Sequence, residues 1–291
     1  VLTLNSYAKI NLYLSVLNKR PDNYHNIDSL FERISLSDRI TLTPLKKNTI
    51  ELYSNDRSLP CDSSNLIFKA AKLLKDKFKV EKGVRIRLTK RIPIGAGLGG
   101  GSSNAAYTLM GLNRLWGLKL SQAKLSRLGA KLGSDVPFFI QDLSFGLVSS
   151  RGEKITPVPE LSGLNLWHIL VVPRINVPTP FIYEKWDILR KSGLTTRGSD
   201  GKLITLVLKN KDFSGLNKAL FNDLEAVTLR FYPEVAKIKK AILHFGANPT
   251  LMSGSGPAVF CILCSRNDAA RLFRQLKEKY RLWRIFLVRT V

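Results

Sequence analysis

Cysteine and histidine are scarce, three of each in 291 residues, and acidic side chains number only 22. Cys61, Cys261 and Cys264 are too few and too odd in number for a disulfide framework, which points to a reducing compartment and a fold held by its core. Cys261 and Cys264 form a Cys-x-x-Cys with no second pair and no histidine nearby, so strand packing rather than redox or metal chemistry is its reading. His168 and His244 sit in apolar segments without partners at metal-ligand spacing and are read as core or helix-end residues. No apolar run approaches the ~20 residues of a membrane helix. Residues 1–6 lack the basic and apolar blocks of a secretion signal. A cytoplasmic protein with no membrane partner is expected.

The shortage of acids against 46 lysines and arginines leaves a net charge of +24. Polyanions therefore come into consideration as partners. The basic residues are spread along helical and strand-like segments such as 69–82 and 271–284 rather than gathered in a tail. Solvated faces account for that distribution, and no specific nucleic-acid partner is expected.

A 44% apolar content in a chain of this length supports one large or two ordinary domains. Apolar residues alternate with Lys9, Asn11, Tyr13 and Ser15 over 10–16, the period of a half-buried strand that projects Lys9 and Asn11 from one face. Residues 84–89 alternate likewise and run into Pro93. Beyond the glycines that follow, Ala105, Leu109, Leu112 and Trp116 recur at helical spacing, with Ser102 or Ser103 as the expected cap. Further helices are predicted over 65–78, capped by Ser64, and over 121–132, stopped by Gly133. In the second half, strands at 166–172, 258–263 and 284–288 alternate with helices at 233–245 and 267–280, which predicts a mixed sheet with helices on one side. Residues 191–215 read as a surface insertion, and a boundary falls within the Pro- and Gly-rich 153–162.

Between Pro93 and Asn104, five glycines occupy seven positions: Gly95, Gly97, Gly99, Gly100 and Gly101. Glycine lets backbone N–H groups approach an anion, and a helix N-terminus adds unpaired donors and roughly half a positive charge. The segment suits a phosphate chain. A P-loop is excluded because no lysine occurs between Ile92 and Arg114. Gly95, Gly97 and Gly100 match Gly-x-Gly-x-x-Gly, but residues 115–120 supply no acid for a ribose.

Pro93, a short spacer, Gly97-Leu98-Gly99 and Ser102-Ser103 together resemble the second motif of the GHMP kinases. Tyr7-Ala8-Lys9-Ile10-Asn11-Leu12 resembles the first motif, with Tyr7 where proline is common. Asp22-Asn23-Tyr24-His25 resembles a substrate loop usually written Asp-Gly-Tyr-His, and Asn23 takes the place of its glycine. Gly133-Ser134-Asp135-Val136-Pro137, Asn222-Asp223-Leu224-Glu225 and Leu251-Met252-Ser253-Gly254-Ser255-Gly256 resemble later motifs, so the likeness spans nearly the whole chain. It implies an α+β architecture of two domains, a ribosomal-protein-like nucleotide-binding domain over 1–157 and a ferredoxin-like domain over 158–291.

The resemblance also implies ATP and magnesium (Mg2+) as cofactors and a small-molecule alcohol as acceptor. The lengthened glycine loop narrows the acceptor to a cytidine diphosphate-linked methylerythritol, phosphorylated at its 2-hydroxyl on a non-mevalonate route to isoprenoids. Phosphoryl transfer needs a proton acceptor and cationic support: Asp135 takes the first role and Lys9 the second. Asn65, Pro93, Gly95, Gly97, Leu98, Gly99, Gly100, Gly101, Ser102 and Ser103 are the expected nucleotide contacts, with Ser103 or Ser102 on the metal. Tyr24, His25 and Tyr183 are expected around the cytosine, with Phe181 as an alternative ring, and Asn11 on the methylerythritol. Gly254, Ser255 and Gly256 either wall the site or form a structural turn. Another GHMP kinase and a basic RNA-binding protein are the competing readings, and a monomer or a homodimer fits equally.

Overall fold

The computed structural model describes residues 1–191 and 201–291. Two sheets carry the fold. Six strands of the first come early in the chain: β1 (Leu2–Lys19), β2 (His25–Leu45), β3 (Ile50–Ser54), β4 (Gly83–Thr89), β5 (Phe145–Ser150) and β6 (Lys154–Pro157). Their order is β3-β4-β2-β1, with β5 on the far part of β2 and β6 on β5. A seventh strand, Phe221–Asn222, arrives from the second half of the chain and pairs in parallel with β1. Helices α1 (Leu66–Phe78) and α2 (Gly100–Leu115) lie side by side on this sheet, and the alanine and leucine stripes of both enter its core. Short helices α3 (Gln122–Gly129) and α4 (Val136–Ile140) complete that layer.

The expected half-buried β1 is instead enclosed on both faces from Ala8 to Val16. Its ladder with β2 shifts register between Asn11 and Tyr13, a bulge that places one extra residue in the strand. Before the bulge Ala8, Ile10 and Leu12 face the second sheet, and after it Tyr13 does. Leu14 and Val16 turn to the other side, among Ile27 and Phe31. The alternation that looks continuous in the sequence therefore changes face. Lys9 and Asn11 share one side as expected, but Tyr13 does not join them.

The second sheet holds β7 (Trp167–Val172), β9 (Thr250–Met252), β10 (Val259–Leu263) and β11 (Arg284–Arg289), the two-residue strand at Phe221–Asn222 counting as β8. Its order is β11-β7-β10-β9 with every pair antiparallel, which corrects the expected mixed sheet. Helices α5 (Thr179–Lys191), α6 (Gly201–Lys209), α7 (Leu216–Ala219), α8 (Glu225–Phe231), α9 (Pro233–His244) and α10 (Arg266–Lys279) belong to this half. Val235, Ile238, Ala269, Leu272 and Leu276 from α9 and α10 pack on one face of the sheet, against Ile169, Val171 and Cys261. Leu170 and Phe260 on the opposite face meet Ile10 and Leu12 of β1. Cys261 is thus a core residue as read, and Cys264 is exposed.

His168 is buried as expected, and its Nε2 lies 2.8 Å from Oε1 of the buried Glu32, joining the two layers. The surface insertion predicted over 191–215 is corrected in part: 201–209 is a helix that buries Ile204, Val207 and Leu208, and residues 192–200 of it lie outside the described residues. Two helix starts also differ from expectation. Asn65, not Ser64, caps α1 by accepting from the Ile67 N–H, while the Ser64 hydroxyl turns to Asp62. Gly99 opens α2 without any side-chain cap.

Candidate active site

Thr89 ends β4, and the chain then crosses residues 90–99 before α2 begins. Gly99 stands in the left-handed region at φ 66°. The first bond of the helix is Ser103 N–H to the Gly99 carbonyl at 2.8 Å. The N–H groups of Gly99, Gly100, Gly101 and Ser102 therefore precede the helical ladder and carry its positive end. Gly97 also has positive φ, at 73°, and a Cβ there would lie 2.3 Å from the Ser253 carbonyl oxygen. The loop is pressed that closely against the turn following β9. Ser253 fastens the contact by donating from Oγ to the Gly97 carbonyl at 3.1 Å while accepting from the Asn11 N–H at 3.2 Å. Asn222 holds the same turn by donating to the carbonyls of Met252 and Gly254, both at 2.8 Å.

Beneath the loop lies a buried carboxylate. Asp38, wholly inaccessible, accepts from the N–H groups of Arg91 and Ile92 at 2.7 and 2.8 Å, from Asn104 Nδ2 at 2.9 Å, and from the Lys90 ammonium. It thus ties β2 to the chain entering the loop and to the helix leaving it. Burial lowers the Lys90 ammonium from its ordinary value, and the charge of Asp38 opposes that shift.

Beside the loop, the Lys9 stem packs where a Cβ on Gly99 would come within 3.1 Å of its Cγ. Lys9 Nζ lies 3.7 Å from Asp135 Oδ2 and donates to Asn11 Oδ1 at 2.6 Å. The Phe31 ring is 4.4 Å from the ammonium. Burial depresses Lys9 below the usual lysine range, and Asp135 pulls in the opposite direction. Asp135 immediately precedes α4 but spends no oxygen on capping it. Its side chain is 28% exposed, so its lone pairs remain open to an incoming group. Gly152 passes close by, leaving room where a Cβ would sit 3.7 Å from Asp135 Oδ1.

A cleft of about 850 Å³ joins these parts to a third cluster. There the His25 and Tyr183 rings stack at 5.0 Å, and Asp187 Oδ1 lies 2.7 Å from His25 Nε2. Lys19 Nζ reaches the other oxygen of Asp187 at 2.8 Å. Tyr183 is pushed up by burial and further by the charge of Asp135, and both residues line the cleft. Tyr24, 54% exposed, stands at the mouth with the Arg151 guanidinium over its ring.

Burial opposes ionisation of Asp187, but the hydrogen bonds from Lys19 and His25 outweigh it and hold the carboxyl below its ordinary value. A carboxyl lowered on folding adds stability above its unfolded value, about 3.9, and that stability is lost as pH falls through the folded one. Asp187→Asn is expected to lower the melting temperature at neutral pH, with the difference from the unmodified chain closing below about pH 4. A difference that persisted unchanged in acid would assign the effect to packing instead.

Comparison with known proteins settles the kinship. The pattern of the GHMP kinases N terminal domain matches residues 65–142, and that of the GHMP kinases C terminal domain matches 204–282. A protein of Geobacillus sp. named 4-diphosphocytidyl-2-C-methyl-D-erythritol kinase is 44% identical, over 95% of this chain and 93% of its own length. The chain belongs to the GHMP kinases. It is an ATP-dependent small-molecule kinase of two-domain α+β fold. A crystal structure of 4-(cytidine 5'-diphospho)-2C-methyl-D-erythritol kinase superposes with a TM-score of 0.83 at 30% identity, covering all of both chains. A mevalonate kinase of L. major in complex with R-mevalonate shares the fold, with a TM-score of 0.76 at 14% identity over 100% of this chain and 96% of its own.

Within this GHMP kinase, Lys9, Asn11, Tyr24, His25, Asn65, Pro93, Gly95, Gly97, Leu98, Gly99, Gly100, Gly101, Ser102, Asp135 and Tyr183 all line the one cleft. Ser103 does not. Its side chain is inaccessible and bonded to the Ser6 hydroxyl at 2.8 Å, and its N–H is spent on Gly99. Ser103 therefore contacts neither phosphate nor metal in this arrangement, and Ser102 is the loop serine that faces the cleft. The Asn65 amide is occupied by its cap and by the Pro60 carbonyl, which limits it to packing and one remaining N–H beside a base. Phe181 is removed as an alternative ring because it packs on Phe231 and Tyr232 instead. Gly254 and Ser255 line the cleft while forming the turn that grips Gly97, so both readings of that segment hold.

Residues missed in the sequence include Asp38, Lys90, Lys19, Arg151 and Asp187. Asp187 lies four residues after Tyr183 and so on the same face of a helix, a spacing that was available to notice. Nothing local marks Asp38.

Proposed function

We propose that this GHMP kinase transfers the γ-phosphoryl group of ATP to the 2-hydroxyl of 4-diphosphocytidyl-2-C-methyl-D-erythritol. The observation that carries the reading is full-length similarity to relatives of that name, on a cleft with a phosphate cradle at one end and a ring stack with a buried histidine at the other. In this reading residues 1–157 form the nucleotide-binding domain and residues 158–291 the second.

The N–H groups of Gly99–Ser102 take the β- and γ-phosphates, the charge-complementary use of a helix start. Asp135 accepts the hydroxyl proton as the acceptor oxygen approaches phosphorus. General-base assistance of this kind contributes about 10²–10⁴-fold. Lys9 stays protonated between Asp135 and the loop and stabilises the charge gathering on the transferred group. Its buried setting strengthens that interaction and equally narrows the pH range over which it holds its proton. At the other end His25, held by Asp187, presents a ring nitrogen to the cytosine edge, and Tyr183 and Tyr24 offer their faces.

Among the described residues no group of three or more His, Cys, Asp or Glu is arranged to hold a metal. That donor set fits magnesium brought with the triphosphate, since this ion keeps several waters and needs one or two protein ligands. Ser102, whose Oγ comes within 3.5 Å of where a Cβ on Gly133 would lie, is the residue that would hold it. When bound, the ion neutralises phosphate charge. Among the described residues no helix is long and apolar enough to cross a membrane, which suits a cytoplasmic enzyme acting on a soluble substrate.

A coupled assay of ATP consumption tests the acceptor. The cytidyl alcohol is expected to support turnover at least about 100-fold faster in kcat/KM than mevalonate or homoserine, because only it fills the ring end of the cleft. Equal or better use of either small alcohol would overturn the reading.

A further inference from the structure

The Lys9 ammonium has no lone pair and so takes the oxygen end of the Asn11 amide, which leaves the NH2 end in need of an acceptor. Ser29 supplies it. This residue is wholly buried and does not line the cleft. Its hydroxyl carries one proton, and that proton is donated to the Tyr13 carbonyl of β1. Ser29 Oγ is thereby left as an acceptor, so the group of Asn11 that stands 3.0 Å from it is the NH2. The Asn11 oxygen must then face the other way, where Lys9 Nζ donates to it at 2.6 Å. The chain of donors runs from ammonium to amide to hydroxyl to backbone without a break. It closes at the register shift between Asn11 and Tyr13, where β1 carries its extra residue and Ser29 stands opposite Leu14.

We propose that Ser29 is a positioning residue for phosphoryl transfer: by committing its only proton to the β1 backbone, it fixes the Asn11 amide and so holds the Lys9 ammonium in place between the glycine loop and Asp135. The proposal rests on the role given above to Lys9. Without the hydroxyl, the Asn11 NH2 loses its acceptor, and the amide is held only from its oxygen end, by Lys9 and, at 3.4 Å, by the Ser253 hydroxyl, so it can tilt away from the ammonium. Lys9 then keeps Asp135 and the face of Phe31 but loses its shortest acceptor. Burial already disfavours the charge there, so an acceptor lost is felt strongly.

Three variants test this. Ser29→Ala is expected to reduce kcat about ten- to a hundredfold with KM for ATP within about twofold, because the loop donors are untouched. Ser29→Thr, which keeps the hydroxyl, is expected to restore kcat to within about threefold. Should the alanine variant fail to fold, Ser29→Cys, a poor acceptor of similar size, carries the same expectation. A second readout needs no substrate: the side-chain ammonium signals in a 15N-labelled sample. Lys9, buried and hydrogen-bonded, gives a slowly exchanging signal that Lys9→Arg removes, that Ser29→Ala broadens, and that Ser29→Thr retains. Unchanged kcat and an unchanged Lys9 signal in Ser29→Ala would overturn the proposal, as would equal losses in the threonine variant. Because the spectrum is independent of the acceptor, it decides the role of Ser29 even if the cytidyl alcohol proves not to be the substrate.

Discussion

Asp135→Asn is expected to lower kcat by about 10²–10⁴-fold while leaving the affinity for an ATP analogue within about threefold. The exchange keeps shape and removes charge. No bond of the glycine loop passes through Asp135, and its carboxylate does not cap α4, so neither the phosphate cradle nor the fold depends on its ionisation. Two things are lost together: the proposed acceptor of the hydroxyl proton, and the counter-charge 3.7 Å from Lys9 Nζ. With that charge gone, the Asn11 oxygen and the Phe31 face are left to support the ammonium against burial, and the alkaline limb of any residual rate should move to lower pH. Calorimetry with the analogue and steady-state kinetics separate binding from turnover. A variant that kept its kcat would exclude Asp135 as the base.

Asp38→Ala is expected to destabilise the protein by about 3–5 kcal/mol, the usual cost of stripping a buried charge of its partner. Four donors converge on this one inaccessible carboxylate, including the Lys90 ammonium. Removing it strands a buried cation and two backbone N–H groups at the point where the chain turns into the glycine loop. The loss should therefore appear twice, as a lower urea midpoint and as a raised KM for ATP. Asp38→Asn keeps an oxygen for Arg91 and Ile92 and should lose less on both counts. A loss of unfolding free energy under about 1 kcal/mol in the alanine variant would mean that Lys90 finds another partner or gives up its proton.

Much of this was legible from residues in order. The glycine loop announces itself because phosphate contact by backbone demands glycine at several neighbouring positions, and the helix after it is visible from the spacing of Ala105, Leu109 and Leu112. The pairing of Lys9 with Asn11 on one side of a strand follows from a period of two. The three expected second-half strands, now Trp167–Val172, Val259–Leu263 and Arg284–Arg289, and the helices at Pro233–His244 and Arg266–Lys279 appear within a residue or two of where their apolar patterns place them, while the short strands Phe221–Asn222 and Thr250–Met252 were not foreseen.

What escaped depends on partners distant in the chain. Ser103 looks like a phosphate ligand until Ser6, 97 positions away, is seen bonded to it. Asn65 rather than Ser64 caps α1 because Asp62 claims the serine hydroxyl first. The antiparallel course of the second sheet is set by the path of the connections, which alternating hydrophobicity does not record. Asp38 resembles any acid in a strand until two separate segments are brought over it.

The bulge in β1 shows the same limit from another side. Before the bulge Lys9 and Asn11 look into the cleft, and after it Leu14 looks to the same side. Shortening the strand by one residue at this point would force a choice: either the lysine or the apolar residues beyond it must face the wrong neighbours. The segment can therefore drift in composition over evolutionary time far more easily than in length, and a one-codon deletion there would be costlier than most single exchanges of amino acid.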